Sequence, residues 1–289
     1  MKKFLVLIST ILILGLIGFA IVGAYFTEQI LKEKLALLKT DSVNSKLEKF
    51  ELSSIEGFPL ILKKYFNFNV GEKVIFPRSF RIQLTGTEKD LTTGASRELK
   101  IQSYQIAEKP EFLKIKSKKF NPFYWEKTID ILSKKSASHS KKILSAFTTD
   151  EIDGVAMEST LISDYIFYSP YIPQLYLNRE FCKWKYSGES EATANIKFKN
   201  NDYSFKFSFN QYGEIVSILS EQYAYPFGSK LVMGEILYSF DKYKTNNGIT
   251  SPTKINIEFN SGDSIKFTRN YEIEILNYNK IELFNTRNY

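Results

Sequence analysis

Residue types that commonly carry out enzymatic chemistry are sparse in this sequence. Its single histidine, His139, lies in a Ser- and Lys-rich stretch, and its single cysteine, Cys182, has no second cysteine with which to form an intramolecular disulfide. A Ser–His–acid triad needs a positioned imidazole, whereas the surroundings of His139 are typical of a solvent-exposed strand start. One histidine and one cysteine also exclude a zinc site of the Cys/His type. We therefore expect no metal and no cofactor.

Carboxylate chemistry is the enzymatic option that these counts leave open. Two carboxylates about 5–10 Å apart can hydrolyse a glycosidic bond, and four acidic residues lie close together: Glu151, Asp153, Glu158 and Asp164. Acidic residues near the start of a helix, however, more often cap it or interact with its dipole. We expect a protein that is not an enzyme, and we rank a carboxylate-dependent hydrolase third among its functions.

Aromatic residues are the more distinctive group. The chain has 24 Phe and 18 Tyr, and five of them cluster in a helix and a proline-broken loop at 157–177. Such a cluster predicts either a core that covers a sheet or the lining of a cavity for an apolar ligand. The residues that we expect to contact such a ligand are Tyr165, Tyr168, Tyr171, Trp184, Phe205 and Phe207.

An uncharged apolar run at 4–26 predicts where the chain is located. As a helix it would be about 35 Å long, against about 30 Å of hydrocarbon in a bilayer. Lys2 and Lys3 precede the run and favour a cytoplasmic N-terminus. We therefore expect a single-pass membrane protein whose C-terminal domain is extracytoplasmic. A cleaved signal peptide is the alternative, because Gly18-Phe19-Ala20 resembles a cleavage site, but the run is longer than a signal needs.

The charge pattern indicates which partners to expect. The formal net charge is +7, but acidic residues are interspersed throughout and no run of five Lys or Arg occurs. This pattern favours solvated strand faces over nucleic-acid binding, and the modest basic excess suits an anionic lipid surface. The expected partners are the membrane and a lipid or other apolar ligand, with no nucleic acid.

Two segments with helical periodicity follow the apolar run. Residues 28–52 predict a helical stalk that continues from the span and breaks near Thr40-Asp41-Ser42. Residues 58–66 predict a short amphipathic helix, with Pro59 at its start, where proline is best tolerated.

From Arg78 onward the period of the apolar residues changes to two, which predicts about ten to twelve antiparallel strands with one buried and one solvated face. Phe205, Phe207 and Phe209 should be buried, with Lys206 and Ser208 exposed. Leu113 and Ile115 alternate in the same way with Lys114 and Lys116.

These elements define a fold class and a domain organisation. The fold is mainly β (α+β): an N-terminal transmembrane helix, then a curved antiparallel sheet with one or two helices packed on its apolar face. The divisions are an anchor at 1–26, a helical stalk or linker at 27–57, and a single extracytoplasmic β-rich domain at 58–289.

Four parts of the chain resemble an uncharacterised bacterial domain-of-unknown-function family of exported or membrane-anchored β-rich proteins. They are the helix from Phe58-Pro59-Leu60 to Tyr65-Phe66, the segment from Leu161 to Tyr171-Ile172-Pro173, Trp184 with 205–210 and Gly213-Glu214, and residues 243–259 with Gly248 and Pro252-Thr253. The order of elements is also similar to that of the Lol-type lipoprotein carriers. That likeness implies a curved sheet with a helix and is consistent with binding of a lipid-like ligand.

The leading functional hypothesis is a membrane-anchored module that binds an apolar or amphipathic ligand between the sheet and the aromatic segment. The alternative is an envelope scaffold or interaction protein with a solid core and no ligand.

Overall fold

The structure is a computed structural model that describes residues 2–44, 48–121, 124–262 and 265–284. Its α-helices are α1 (Lys2–Val43), α2 (Leu60–Asn69) and α3 (Val155–Phe167). The strands are β1 (Ser79–Asp90), β2 (Ser96–Ile106), β3 (Phe112–Asn121), β4 (Tyr124–Leu132), β5 (Ala137–Ile143), β6 (Phe147–Asp153), β7 (Cys182–Gly188), β8 (Glu191–Phe198), β9 (Asn201–Phe209), β10 (Ile215–Phe227), β11 (Lys230–Asn246), β12 (Ile249–Asn260) and β13 (Lys266–Tyr278).

The strands of the described residues form one curled, half-barrel sheet in the order β6-β5-β4-β3-β2-β1-β13-β12-β11-β10-β9-β8-β7. Every neighbouring pair is antiparallel, and the β1–β13 pair joins the two sequential halves. The predicted fold class is confirmed, and this part of the chain has thirteen strands, one more than the upper end of the predicted range.

The concave face of the sheet contains the main core. Helices α2 and α3 pack on it, together with two short 3₁₀ turns at Ser169–Tyr171 and Pro173–Leu177. We call residues 155–177 the cover segment. On β9, Phe205, Phe207 and Phe209 are buried as predicted, while Lys206 is exposed and Ser208 is partly buried.

The convex face is covered in part by the second half of α1. Leu31, Leu35 and Leu38 of this helix pack with Leu113 and Ile115 of β3. An apolar strip of a helix that meets an apolar strip of a sheet removes both from water. The stalk helix is therefore part of the folded domain along much of its length.

This packing overturns the predicted orientation of β3. The alternation at 113–116 is correct, but Leu113 and Ile115 face the convex side and α1. Lys114 and Lys116 consequently face the concave interior. The sequence pattern had predicted that both would face solvent. The prediction was wrong because both faces of β3 are covered. Alternation of apolar and polar residues predicts a strand with only one covered face.

Helix α1 also contacts the turn between β5 and β6. The Thr27 hydroxyl donates a hydrogen bond to the Ser145 carbonyl oxygen at 2.7 Å. Gly23 permits the close approach, since a Cβ at this position would lie 2.5 Å from the Cβ of Ala146. Among the described residues α1 is the one helix long and apolar enough to cross a membrane.

Six hairpins, β5–β6 among them, turn at the same end of the sheet. In an antiparallel sheet neighbouring strands run in opposite directions, so β1–β2, β3–β4, β5–β6, β8–β9, β10–β11 and β12–β13 all turn at one end. We call it the anchor-side end, because its β5–β6 turn touches α1.

The close pairing of β1 with β13 depends on Gly86, and we expect Gly86→Ala to destabilise the domain. A Cβ at Gly86 would lie 1.8 Å from the Asn270 carbonyl oxygen, and overpacking of this kind costs roughly 1–3 kcal/mol. Thermal unfolding of the full chain in mild detergent measures the effect. Gly71→Ala is the matched control, since its Cβ would meet its nearest atom at 3.4 Å. Equal unfolding temperatures for the two variants would contradict this account.

Candidate functional site

A cavity of about 40 Å³ lies between the concave face of the sheet and α3. A cavity needs about 10–15 Å³ to hold one water, so this one has room for about three waters or for a group the size of a carboxylate or phosphate. It is much smaller than the roughly 300–1,000 Å³ pockets that hold drug-sized ligands. Five charged residues and one histidine form a large part of its wall: Lys114, Lys116, Asp130, Asp164 and Arg269, with His139.

Lys114 of β3 connects the sheet to α3. Its ammonium lies 3.0 Å from Oδ2 of Asp130, its direct partner on β4, and also contacts the Asp164 carboxylate of α3. Asp164 in turn accepts a hydrogen bond from the Tyr223 hydroxyl at 3.1 Å. Burial acts to lower the pKa of Lys114, but the charges of Asp130 and Asp164 outweigh it and raise this pKa above its ordinary value.

His139 joins the same network from β5. It is 8% exposed, and its Nδ1 lies 2.6 Å from Oδ1 of Asp130, the residue opposite it on β4. Burial acts to raise the pKa of Asp130, but Lys114 and the His139 hydrogen bond lower it overall. Asp130 is therefore ionised and accepts the bond that Nδ1–H donates. The prediction of a solvent-exposed His139 was wrong, because α3 covers this part of the strand.

A second ion-pair group lies beside the first, towards the anchor-side end. Glu88 of β1 accepts from Nε of Arg269 at 2.7 Å and from the Lys118 ammonium at 2.6 Å. Arg269 also bonds the Tyr225 hydroxyl at 3.2 Å and stacks 3.9 Å above the Phe267 ring centroid. The stacked and paired guanidinium is fixed in position by these contacts.

Lys116 lies on β3 between the two groups. Within the described part of the chain its ammonium has no hydrogen-bond or ion-pair partner. Burial lowers the pKa of Lys116 to about 8, and the nearby Arg269 acts in the same direction. Lys116 is thus a partly buried cation without a direct ion pair in the described protein, and the carboxylates of Glu88 and Asp130 act on it only at longer range.

The charges of the two groups and Lys116 do not cancel. The network has four cations and three carboxylates: Lys114, Lys116, Lys118 and Arg269 against Glu88, Asp130 and Asp164. One positive charge remains, and an anion in the cavity would balance it.

Of the six residues predicted to contact an apolar ligand, Tyr168 lines the cavity. Tyr165 donates to the Ile106 and Ala107 carbonyl oxygens at 2.9 and 3.0 Å, and Tyr171 donates to the Pro252 carbonyl oxygen at 3.1 Å. These bonds hold the cover segment against the sheet. A ligand contact for these tyrosines stays a prediction.

The other three predicted residues belong to the packed aromatic core. The ring centroids of Trp184 and Phe207 lie 5.0 Å apart, and the Phe205 ring meets Phe167 edge-on at 6.0 Å. Their contact with a ligand also stays a prediction.

The sequence analysis missed the role of the three β3 lysines and of Arg269, although each has a weak signal in the sequence. Lys114, Lys116 and Lys118 recur at every second position of a strand whose other face is apolar, which places three cations on one face. Arg269 interrupts an apolar alternation between Phe267 and Tyr271. A charged residue at an expected core position is the available signal for such a site.

The carboxylates considered for hydrolysis are separated by the fold. Glu151 and Asp153 are exposed on β6, whereas Glu158 pairs with Lys199 and Asp164 with Lys114. Over residues 2–44, 48–121, 124–262 and 265–284, no group of three or more His, Cys, Asp and Glu side chains is placed to hold a metal ion.

The sequence that forms this half-barrel sheet, with a helix across its concave face, matches a family of unknown function. Residues 48–268 match DUF6544, so the chain belongs to that family. The predicted membership of a β-rich family of unknown function is thereby confirmed. No curated protein matches the chain.

Solved structures with a similar arrangement include Lol-type proteins. A LolA superfamily protein from Nitrosomonas europaea is 11% identical, with a TM-score of 0.39, over 78% of this chain and 94% of that one. A DUF1329 family protein from Desulfovibrio piger is 10% identical, with a TM-score of 0.42, over 70% of this chain and 86% of that one. Likenesses at this level carry no argument about function.

The unpaired cation makes the stability of the domain depend on pH, and we expect Lys116→Met to be stabilising. Between pH 8 and 10.5 the unfolded lysine binds a proton that the folded one has released, so wild-type stability rises with pH across this window. Replacement by Met removes the free-energy cost of burying the charged Lys116 ammonium. This cost is worth roughly 1–3 kcal/mol at pH 7, since one pKa unit corresponds to about 1.4 kcal/mol.

Thermal unfolding of the full chain and of Lys116→Met, at pH 7 and pH 10, measures this difference. The advantage of the variant should shrink at the higher pH, and effects of other titrating groups cancel in the comparison. An advantage that is equal at both pH values, or a less stable variant, would contradict the titration of Lys116.

Proposed function

We propose that the protein is a membrane-anchored, extracytoplasmic module that binds an amphipathic, lipid-like ligand between the sheet and the cover segment. The observation that carries the proposal is the position of the cavity. Tyr225 and Pro226 line it and lie just before the β10–β11 turn at the anchor-side end. The cavity runs across the concave face, from Asp130 and His139 near the opposite end of β4 and β5 to Tyr225 and Pro226, and so reaches towards the end of the half-barrel that meets α1.

Contacts of α1 support an anchor that stays attached. The Phe19 ring stacks on Phe147 of β6 with centroids 4.9 Å apart, and residues 31–38 pack on the convex face. Cleavage of a signal peptide near residue 20 would remove the contact between Phe19 and Phe147. An uncleaved helix instead holds the anchor-side end close to the bilayer.

Apolar side chains at the turns also suit a position at the membrane surface. Leu91, Phe147 and Phe227 lie at three different turns of the anchor-side end, and all three are exposed. Aromatic and aliphatic residues of this kind favour the interface between water and hydrocarbon. An amphipathic ligand would reach the cavity directly from the bilayer.

The size of the cavity restricts which part of a ligand it holds. About 40 Å³ accommodates a polar head group and excludes an acyl chain. The chain would lie along the apolar turns, or between the sheet and the cover segment once that segment has moved. The bonds of Tyr165 and Tyr171 to the opposite end of the sheet oppose such a movement.

A scaffold protein without a ligand is the second candidate, and the packing of the interior favours it. Tyr165, Tyr171, Phe205 and Phe207 are each at most 1% exposed and form part of one continuous core. A core at this density needs no ligand to be stable.

The proposed topology predicts that Leu14→Arg impairs membrane insertion. An arginine at the centre of a span costs about 2.5–3.5 kcal/mol on the insertion scale. Protease treatment of cells whose outer barrier has been removed should digest the wild-type domain. Its protection would overturn the extracytoplasmic location, and a mature N-terminus near Ile21 would replace the anchor by a cleaved signal.

Ligand binding predicts that amphipathic molecules copurify with the full chain in mild detergent and are lost on Met157→Phe. Met157 lines the cavity from α3, and a larger ring there fills the space. Leu161→Phe is the matched control, since Leu161 lies one turn further along α3, is fully buried and does not line the cavity. Both variants carry a similar overpacking cost of roughly 1–3 kcal/mol.

Native mass spectrometry with lipid extraction of the bound fraction is the measurement. Lipid retained by Leu161→Phe and absent from Met157→Phe supports binding at the cavity. A wild-type protein that carries and takes up no amphipathic molecule would favour the scaffold.

A further inference from the structure

The cavity combines an uncompensated cation with polar groups that the described chain leaves unpaired. Lys116 has no hydrogen-bond or ion-pair partner in this part of the chain, and the same holds for the hydroxyls of Tyr168 and Tyr238, which are 3% and 6% exposed. Lys116 is partly buried, and none of the three polar atoms is fully enclosed by protein. Three polar groups without protein partners around one cavity are therefore available to a ligand.

The neighbours of these groups determine which charge the ligand carries. Asp130 and Asp164 are engaged with Lys114, and Glu88 is engaged with Arg269 and Lys118. No carboxylate of this described network remains for Lys116. An anionic group would complete its coordination, whereas a cation would be repelled.

Arg269 provides a second, pre-positioned donor in the wall of the cavity. Its Nε and Nη2 are occupied by Glu88 and Tyr225, while Nη1 has no hydrogen bond to any described residue. Guanidinium and ammonium groups together bind carboxylates and phosphates well.

The access route also carries charge. Lys118 lies on the same face of β3 as Lys116, two residues nearer the β3–β4 turn. On β5, Lys141 lies two residues beyond His139 in the direction of the β5–β6 turn and contacts Glu126 and Asp150. Both lysines are paired with carboxylates, so ion pairs line the way from the cavity towards the anchor-side end, and Lys116 is the cation without a direct partner that an acidic group entering there would meet.

We propose that Lys116 and Arg269, with the hydroxyls of Tyr168 and Tyr238, bind the acidic head group, a phosphate or a carboxylate, of the amphipathic ligand. This inference rests on the proposed function and specifies its ligand class. The acidic group occupies the cavity, and the apolar part of the ligand remains on the side of the bilayer.

The test compares acidic and neutral lipids on the detergent-solubilised full chain by native mass spectrometry. The probes are phosphatidic acid, oleic acid and diacylglycerol, with inorganic phosphate as a free anion. Lys116→Met removes the charge, Lys116→Arg retains it, and Lys119→Met is the control, because Lys119 is exposed on the other face of β3.

We expect Lys116→Met to weaken phosphatidic acid or oleic acid binding by about tenfold or more, consistent with the loss of a hydrogen bond to a charged group. Lys116→Arg and Lys119→Met should bind as the wild type does. Diacylglycerol should bind weakly and independently of Lys116. Unfolding temperatures recorded in parallel distinguish lost binding from lost structure.

Each contrary result overturns at least one of the two proposals. Diacylglycerol binding as tight as that of phosphatidic acid, unaffected by Lys116→Met, overturns the acidic head group and leaves lipid binding in place. Binding of inorganic phosphate that depends on Lys116, without binding of any lipid, supports the anion site and overturns the amphipathic ligand. Absence of binding by all four probes overturns both proposals.

Discussion

The covering of β3 on both faces is the constraint on which the rest of the structure depends. Helix α1 covers the convex face over Leu113 and Ile115, and α3 covers the concave face over Lys114 and Lys116. A cation buried in this way needs a partner or a lowered pKa. Lys114 has two carboxylate partners, and Lys116 has the lowered pKa. The charged network follows from this arrangement of helices on the sheet.

The same constraint separates what the sequence predicts from what it does not. Strand periodicity identified a single antiparallel sheet and the buried row on β9, because there one face is core and the other is solvent. At Lys114 and His139 the periodicity was also correct, but it gives no information on which elements cover each face. That depends on the second half of α1 packing along the convex side and α3 crossing the concave side, contacts between residues far apart in sequence.

The interior of the half-barrel is divided into two parts with different physical character. Around Phe205, Phe207 and Tyr176 it is a closed aromatic core, which rigidifies the sheet. Around the cavity it is polar, partly open and carries an excess positive charge, which lowers stability when no anion is bound. The aromatic part therefore serves stability alone, whereas at Lys116 a substitution that strengthens the fold would weaken the proposed site.

The continuity of α1 from Lys2 to Val43 has a consequence for how far the domain can travel. A helix without a break, in contact with the domain at Gly23 and again over residues 31–38, leaves no flexible tether between the apolar N-terminal half of α1 and the sheet. In the anchored form that we propose, the half-barrel would be held at a constant height above the bilayer and would move only in the plane of the membrane. A donor or acceptor of the proposed ligand would then have to meet the domain at that surface, because such a protein could not shuttle across the envelope.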